Sequence, residues 1–224
     1  MKNLALLITC FALLSTRVYG QPATTAAKTD KKEDGTHLPE SFDTTIIMFG
    51  DSSYRLALHY SGLVYFGEYT GDGKNATLTL YKKSGVGKKI IFSDSLNCLD
   101  PMIMFHDFNG DGVKDLAIFH STGARSNPTY YLYLIDPKNK KLIRVNGFEE
   151  IPNPSLDTGF NIITGMGLAG SSICYSFYSI NAKNKLINLE HAFVDDNTDS
   201  LQYERIIKQI QNERKKSQGS NHRN

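Results

Sequence analysis

The alternation of apolar and polar positions divides the chain into four stretches. Residues 44–49, 54–60, 63–69 and 76–81 are short runs rich in Ile, Val, Leu, Tyr, Phe and Thr, the side chains that suit a pleated, half-buried surface. Ser61-Gly62 and residues 70–75 separate them as turns. Runs at 89–92, 102–105, 116–120, 130–135 and 141–145 follow, the last two joined across residues 136–140. Residues 173–180 and 186–193 form one more hairpin across 181–185. Eight or more short strands at this spacing predict an all-β domain over residues 37–200, an antiparallel β-sandwich or open barrel. The period then lengthens: Leu201, Ile206, Ile207 and Ile210 stand among Glu, Gln, Lys and Arg. That spacing predicts a C-terminal helix of about three turns, capped by an Asp or Ser of the preceding polar run and either resting on the β domain or standing as a solvated tail, with a basic, polar end inside residues 201–224.

The N-terminal region reads differently. A single Lys precedes an apolar run over residues 4–14, and Val18 and Gly20 stand at the minus-three and minus-one positions of a cleavage before Gln21. Residues 1–20 are therefore expected to be a secretory signal, because the run is too short to span a bilayer. Residues 21–36 offer no large apolar side chain and are expected to be a disordered spacer. The exported chain is expected to be periplasmic or secreted, with no membrane span.

One stretch carries recognisable chemistry: Asp107-Phe108-Asn109-Gly110-Asp111-Gly112-Val113-Lys114-Asp115. Counting from Asp107, side-chain oxygens fall at positions 1, 3 and 5 (Asp107, Asn109, Asp111), the Val113 carbonyl at 7 and Asp115 at 9. An EF-hand loop begins this way, with Gly112 at its sharp turn, but its twelfth position here is Ile118 instead of a bidentate glutamate. Apolar runs on both sides point to a strand–loop–strand hairpin. A turn that binds no metal needs fewer carboxylates in register, so the expected cofactor is Ca²⁺, preferred over Mg²⁺ because the protein supplies many oxygens itself.

Charge and the remaining motifs narrow the alternatives. The formal charge is +2, and loss of Lys2 and Arg17 with the signal brings the chain to zero. With +4 in residues 201–224 and none in 21–36, residues 37–200 carry −4, which offers no electrostatic case for nucleic acid. The six histidines form no zinc motif, and no phosphate-cradling glycine loop is present. His106 beside Asp107 and His120 beside Ser121 could be assembled into a hydrolase site, but nothing fixes their geometry and polar residues bordering such a loop are the commoner explanation, so the chain is read as a binding protein and not an enzyme. Cys98 and Cys174 remain after export and could bridge in an oxidising compartment, or stand as separate thiols. Asn75-Ala76-Thr77 fits a glycosylation sequon, informative only in a eukaryote.

Two segments read as recognition surfaces. Gly165 to Ser172 is a run of small residues between strand-like segments, either an exposed loop presenting Gly167, Gly170, Ser171 and Ser172 to a partner or a glycine-rich bend in the sheet. Ser61-Gly62-Leu63-Val64-Tyr65 is the second, with a plain hairpin turn as its alternative.

Over roughly residues 95–193 the order of features resembles exported calcium-binding β proteins akin to periplasmic inhibitors of invertebrate-type lysozyme, among them immunity proteins against peptidoglycan hydrolases delivered by type IV secretion systems. The shared order is a β meander, one acidic loop, Asn153-Pro154, a small-residue segment, an aromatic strand and a hairpin ending in Lys185-Leu186. Lysozyme inhibitors of other types use Ser-Gly-x-x-Tyr segments to enter the enzyme's groove, and Ser61 to Tyr65 matches that wording. The resemblance implies an inhibitor or immunity protein whose partner is a lysozyme-like peptidoglycan hydrolase. From a different class, a carbohydrate- or surface-binding module with a structural calcium site fits the same residues.

Overall fold

The computed structural model describes residues 41–62, 73–123, 125–195 and 201–220. The signal and spacer assigned to residues 1–36, the strand expected at 63–69, and Tyr65 lie outside the described residues.

Among the described residues twelve strands and one α-helix follow in order, with a single 3-10 turn at Phe148–Glu150: β1 (Phe42–Ile47), β2 (Tyr54–Tyr60), β3 (Ala76–Ser84), β4 (Gly87–Leu96), β5 (Ile103–His106), β6 (Asp115–Gly123), β7 (Asn127–Asp136), β8 (Lys141–Val145), β9 (Ser155–Asp157), β10 (Ile162–Ala169), β11 (Ser172–Ile180), β12 (Leu186–Asp195) and α1 (Gln202–Ser220). They pair into three four-stranded antiparallel sheets, β1–β4, β5–β8 and β9–β12, each a meander in which consecutive strands are neighbours. Each sheet contains one register shift, at Leu80/Tyr81, Phe119/Ser121 and Ser176/Tyr178. Such bulges add local twist.

The three meanders stack face to face, and alternation along β6 and β7 shows how. Leu116, Ile118, Tyr131 and Tyr133 join Leu56, Leu58, Leu78 and Leu80 of the first sheet in one core. Their neighbours Ala117, Leu132 and Leu134 point the other way and pack with Phe148, Ile151, Leu156 and Ile163 toward the third sheet. The outer face of the third sheet buries Ile162, Phe177 and Phe193 against Ile207 and Ile210 of α1. The fold is all-β with a C-terminal helix; its sandwich has a third sheet, so the middle one is buried on both faces. The helix, at nineteen residues, runs about two turns beyond the expected three, through a polar half that holds no apolar residue after Ile210.

Two expectations change. The small-residue segment is not an open loop: residues 162–169 are β10, Ser172 begins β11, and only Gly170 and Ser171 form the turn. Glycine is required within β10 by close packing, since a Cβ at Gly165 would lie 2.7 Å from both Ile151 Cγ2 and Ser176 Oγ. No disulfide joins Cys98 and Cys174. Cys98 is sealed in the core between the first and middle sheets and Cys174 is exposed on β11 of the third, so the middle sheet stands between their layers.

No described helix is long and apolar enough to cross a membrane.

Candidate functional site

In each meander the first and third hairpin connections emerge at one end and the second at the other. Contacts between sheets align these ends. The Lys140 ammonium of the β7–β8 turn lies 5.2 Å from the ring centre of Phe49 in the β1–β2 connection. A recess of about 210 Å³ is lined by Asn109 and Asp111 between β5 and β6, Asp136 and Pro137 at the end of β7, and Asn184 between β11 and β12. The Asp107 loop therefore occupies one end of the stack. The β2–β3, β6–β7 and β10–β11 connections lie at the opposite end, here called the Gly170 end.

At the Asp107 end the side-chain oxygens organise the loop backbone. The Asp107 carboxylate accepts the amides of Gly110 (2.7 Å) and Gly112 (2.8 Å), Asn109 Oδ1 accepts that of Asp111 (3.1 Å), and Asp111 Oδ1 accepts that of Val113 (2.7 Å). Asn109 Nδ2 donates to the second Asp111 oxygen at 2.8 Å. The backbone is left-handed at Gly110 (φ 73°) and Gly112 (φ 83°), and at Gly110 a Cβ would also fall 2.9 Å from Asn161 Oδ1, so two constraints select glycine there.

Asp115 differs from the other acids of the loop. It begins β6, is fully buried, and accepts the amides of Phe108 (3.0 Å) and Ile135 (3.2 Å), tying the loop to β7. Burial pushes its carboxyl up to about 7; the two amide bonds act against that rise, and the charges of Asp111 and Asp107 add to it. Among the described residues no three His, Cys, Asp or Glu side chains converge on one point. The loop's donors are nonetheless all oxygen: three carboxylates, one amide carbonyl and one backbone carbonyl. Each carboxylate oxygen keeps a further lone pair beyond its amide bond. This donor chemistry fits a hard divalent cation such as Ca²⁺.

At the Gly170 end the β10–β11 tip is held by the neighbouring β6–β7 connection. The Arg125 guanidinium donates to the Gly170 carbonyl at 2.5 Å. The Asn127 amide donates to the Leu168 carbonyl (3.1 Å) and accepts the Leu168 amide (2.8 Å), while Asn153 bridges Asn127 (3.2 Å) to the Met166 carbonyl (2.7 Å). Arg125 (φ 70°) and Ser126 (φ 56°) are consecutive left-handed non-glycine residues, a conformation that costs free energy and persists where surrounding contacts impose it. Gly170 and Ser171 are exposed, Ser172 is half-buried, and Gly167 packs beneath them, where a Cβ would stand 3.4 Å from Pro152 Cγ.

Ser61 is at the same end. Its amide and hydroxyl both donate to the Asn75 carbonyl, at 2.9 and 3.0 Å. The Asn75 side chain is buried, donates to the carbonyls of Gly62 and Cys98, and accepts the Cys98 amide at 2.8 Å. The sequon asparagine is thus a structural staple, its nitrogen occupied and inaccessible to a glycan.

His106 and His120 do not converge. His106 pairs across the sheet with Asp115 and packs on Phe108, whereas His120 is five residues further along β6, within 3.1 Å of the Thr129 hydroxyl and with its basicity lowered by burial. A polar cluster unforeseen in the sequence ties the first sheet to the middle one: Arg144 donates to Asp94 (2.7 Å) and Glu149 (3.0 Å) and lies over the Tyr131 ring, and the Tyr133 hydroxyl donates to Asp94 (2.7 Å). Cationic Arg144 in an apolar stretch of β8 was the available signal. No protein family, curated protein or solved structure matches this chain.

Proposed function

We propose that this chain is an exported, calcium-stabilised inhibitor or immunity protein that blocks a lysozyme-like peptidoglycan hydrolase with its Gly170 end. The observation that carries the reading is the β10–β11 tip: two exposed small residues, Gly170 and Ser171, with Gly170 held by Arg125 and the strand behind them held at Leu168 by Asn127, both from a neighbouring hairpin. Glycoside hydrolases of this kind work with paired carboxylates in a cleft. A narrow tip offering Ser171, Ser172 and backbone amides can hydrogen-bond such carboxylates without a steric clash. A tip already ordered before binding loses less entropy on docking. Ser61 belongs to the same end and would widen the contact; Gly167 shapes the tip from beneath.

Calcium belongs to the other end of the molecule. Asp107, Asn109, Asp111, Asp115 and the Val113 carbonyl would hold it, and it would supply charge neutralisation to the acidic loop and no catalysis. The acids and amide here serve as ligands and as backbone acceptors; none is assigned a reaction.

The carbohydrate-binding alternative is favoured by a recess of about 440 Å³ between the third sheet and α1, lined by Tyr175, Tyr203, Asp157, Asn153 and Thr164, which combines ring faces with polar groups. One experiment separates the two readings. Lysis of peptidoglycan by a panel of lysozyme types and a secreted bacterial hydrolase is followed with and without the protein, alongside binding of soluble glycan fragments. Inhibition lost in Ser171→Arg with an unchanged melting temperature supports the inhibitor. Glycan binding without inhibition of any hydrolase sinks it in favour of the second reading.

A further inference from the structure

The register of the first sheet places Lys82 directly opposite Lys89 and Lys83 opposite Lys88 in the arm formed by β3 and β4. Like charges facing each other across strands destabilise a hairpin, and among the described residues none of the four has a carboxylate within ion-pair reach. Lys82 and Lys88 instead lie over the rings of Tyr54 (5.2 Å) and Tyr81 (5.4 Å). At the apex, Ser84 pairs with Gly87 around Gly85 and Val86, with positive φ (57°) at Gly85 but not at Val86. That is the turn with glycine first, and it leaves Val86 wholly exposed, with Ile90 58% exposed behind it.

Lysine on an edge strand commonly protects it from pairing with another chain. That account covers Lys88 and Lys89 on β4, the edge strand, but not Lys82 and Lys83 on β3, which is paired on both sides. Successive side chains of a strand point to opposite faces, so the two opposed pairs put ammonium groups on both faces of the arm, a collar around an apolar tip. An acidic protein surface would meet one face of such an arm. A lipid surface entered tip first meets both.

We infer that the β3–β4 arm docks the protein on an anionic bilayer, with Val86 in the headgroup layer and Lys82, Lys83, Lys88 and Lys89 against lipid phosphates. The arm emerges at the Asp107 end, so docking leaves the Gly170 end facing away from the lipid. The inference does not depend on the inhibitor reading.

The test is co-sedimentation of the whole chain, in one processed form throughout, with vesicles of phosphatidylcholine alone and vesicles containing phosphatidylglycerol, at low and high salt. Binding is expected only to the anionic vesicles, and salt should weaken it. Each lysine near such a surface contributes roughly fivefold, so K82E/K83E should bind at least about twenty-five-fold more weakly. The same change places opposite charges across the arm, so the melting temperature should hold or rise; loss of binding then cannot be misfolding. V86S should weaken binding by about tenfold, in line with burial of one aliphatic side chain, and leave the salt dependence intact. Equal binding to both vesicle types, no binding to either, or undiminished binding of K82E/K83E overturns the inference. Binding to soluble polyglutamate as tight as to anionic vesicles, unaffected by V86S, overturns it in favour of an acidic protein.

Discussion

Replacing Asp111 by alanine tests whether the acidic loop holds a cation, because the two states of the loop respond to it differently. In chelator the residue's visible contributions are the bond from the Val113 amide at 2.7 Å and the one from Asn109 Nδ2 at 2.8 Å, both at the surface. Water replaces surface partners readily, so their loss costs about 1 kcal/mol in all. Removing the charge also relieves its repulsion of buried Asp115, which offsets part of that cost. Metal-free wild type and variant should therefore melt within a few degrees of each other. With calcium at a hundredfold excess over its dissociation constant, binding to the native state alone stabilises the wild type by about 2.7 kcal/mol. For a chain of this size that is about 5–11 °C in melting temperature. The variant should lose nearly all of this increment. Melting curves of both proteins with millimolar calcium and with chelator, read by circular dichroism or calorimetry, are sufficient. A wild type whose melting temperature ignores calcium, or an Asp111→Ala protein that keeps the increment, refutes the cation site. Asp136→Ala is the control: it lines the same recess but lies outside the loop, so it should keep the increment.

The remaining predictions use other parts of the fold. In chelator, Asp115 binds its proton more tightly in the native state (about 7) than in the unfolded chain (3.8), so its stabilising effect is complete below pH ~4 and declines as pH rises through ~7; Asp115→Asn should flatten that slope in denaturant titrations, and an unchanged slope assigns it elsewhere. Thiol titration of the protein freed of residues 1–20 should find exposed Cys174 reactive and Cys98 silent until unfolding, since burial pushes the Cys98 thiol up to about 12; two reactive thiols in the native protein, or none after unfolding, would contradict this arrangement. Gly165→Ala should cost about 1–3 kcal/mol by overpacking against Ile151 and Ser176, whereas Gly167→Ala, with its nearest neighbour at 3.4 Å, should cost less; denaturation midpoints decide between them. Asn127→Ala removes both bonds to Leu168 and the one from Asn153, so amide exchange at the β10–β11 tip should quicken by more than tenfold while β2 and β3 remain protected.

Several elements were legible because their alternation is clean. Tyr54–Tyr60 turns Leu56, Leu58 and Tyr60 inward on a strict period of two, and its bounds match those read from the residues. β8 matches equally well. β10 was not legible, because Gly165 and Gly167 lower strand propensity for a reason that only tertiary packing supplies. The third layer was foreshadowed by the continuous apolar runs 116–119 and 130–135, which mark strands buried on both faces, but a run of that length also suits other buried segments. The acidic loop was readable as a candidate because its oxygen-bearing side chains are local in sequence. The brace at the Gly170 end was not, since Arg125 and Gly170 are forty-five residues apart and no local pattern announces their meeting.

The succession of three meanders explains why one acidic loop can matter to the whole stack. Each meander opens with a hairpin at the same end, yet connections of unequal length between meanders hide any fixed sequence period, and only the middle opening carries the acidic ladder. The middle sheet is also the one on which both neighbours pack, so loosening it disturbs two cores where loosening an outer sheet disturbs fewer contacts. Asp115 sits where the loop enters that sheet, on the strand whose other end leads into Arg125 and the brace on Gly170. A cation in the loop would therefore reach the β10–β11 tip, the proposed partner contact, through the rigidity of β6 and not through any contact of its own. Loss of the loop's carboxylates and loss of the brace should then be separable: under the proposed reading the first lowers global stability and would weaken inhibition only in proportion, whereas the second frees the tip while the cores remain intact.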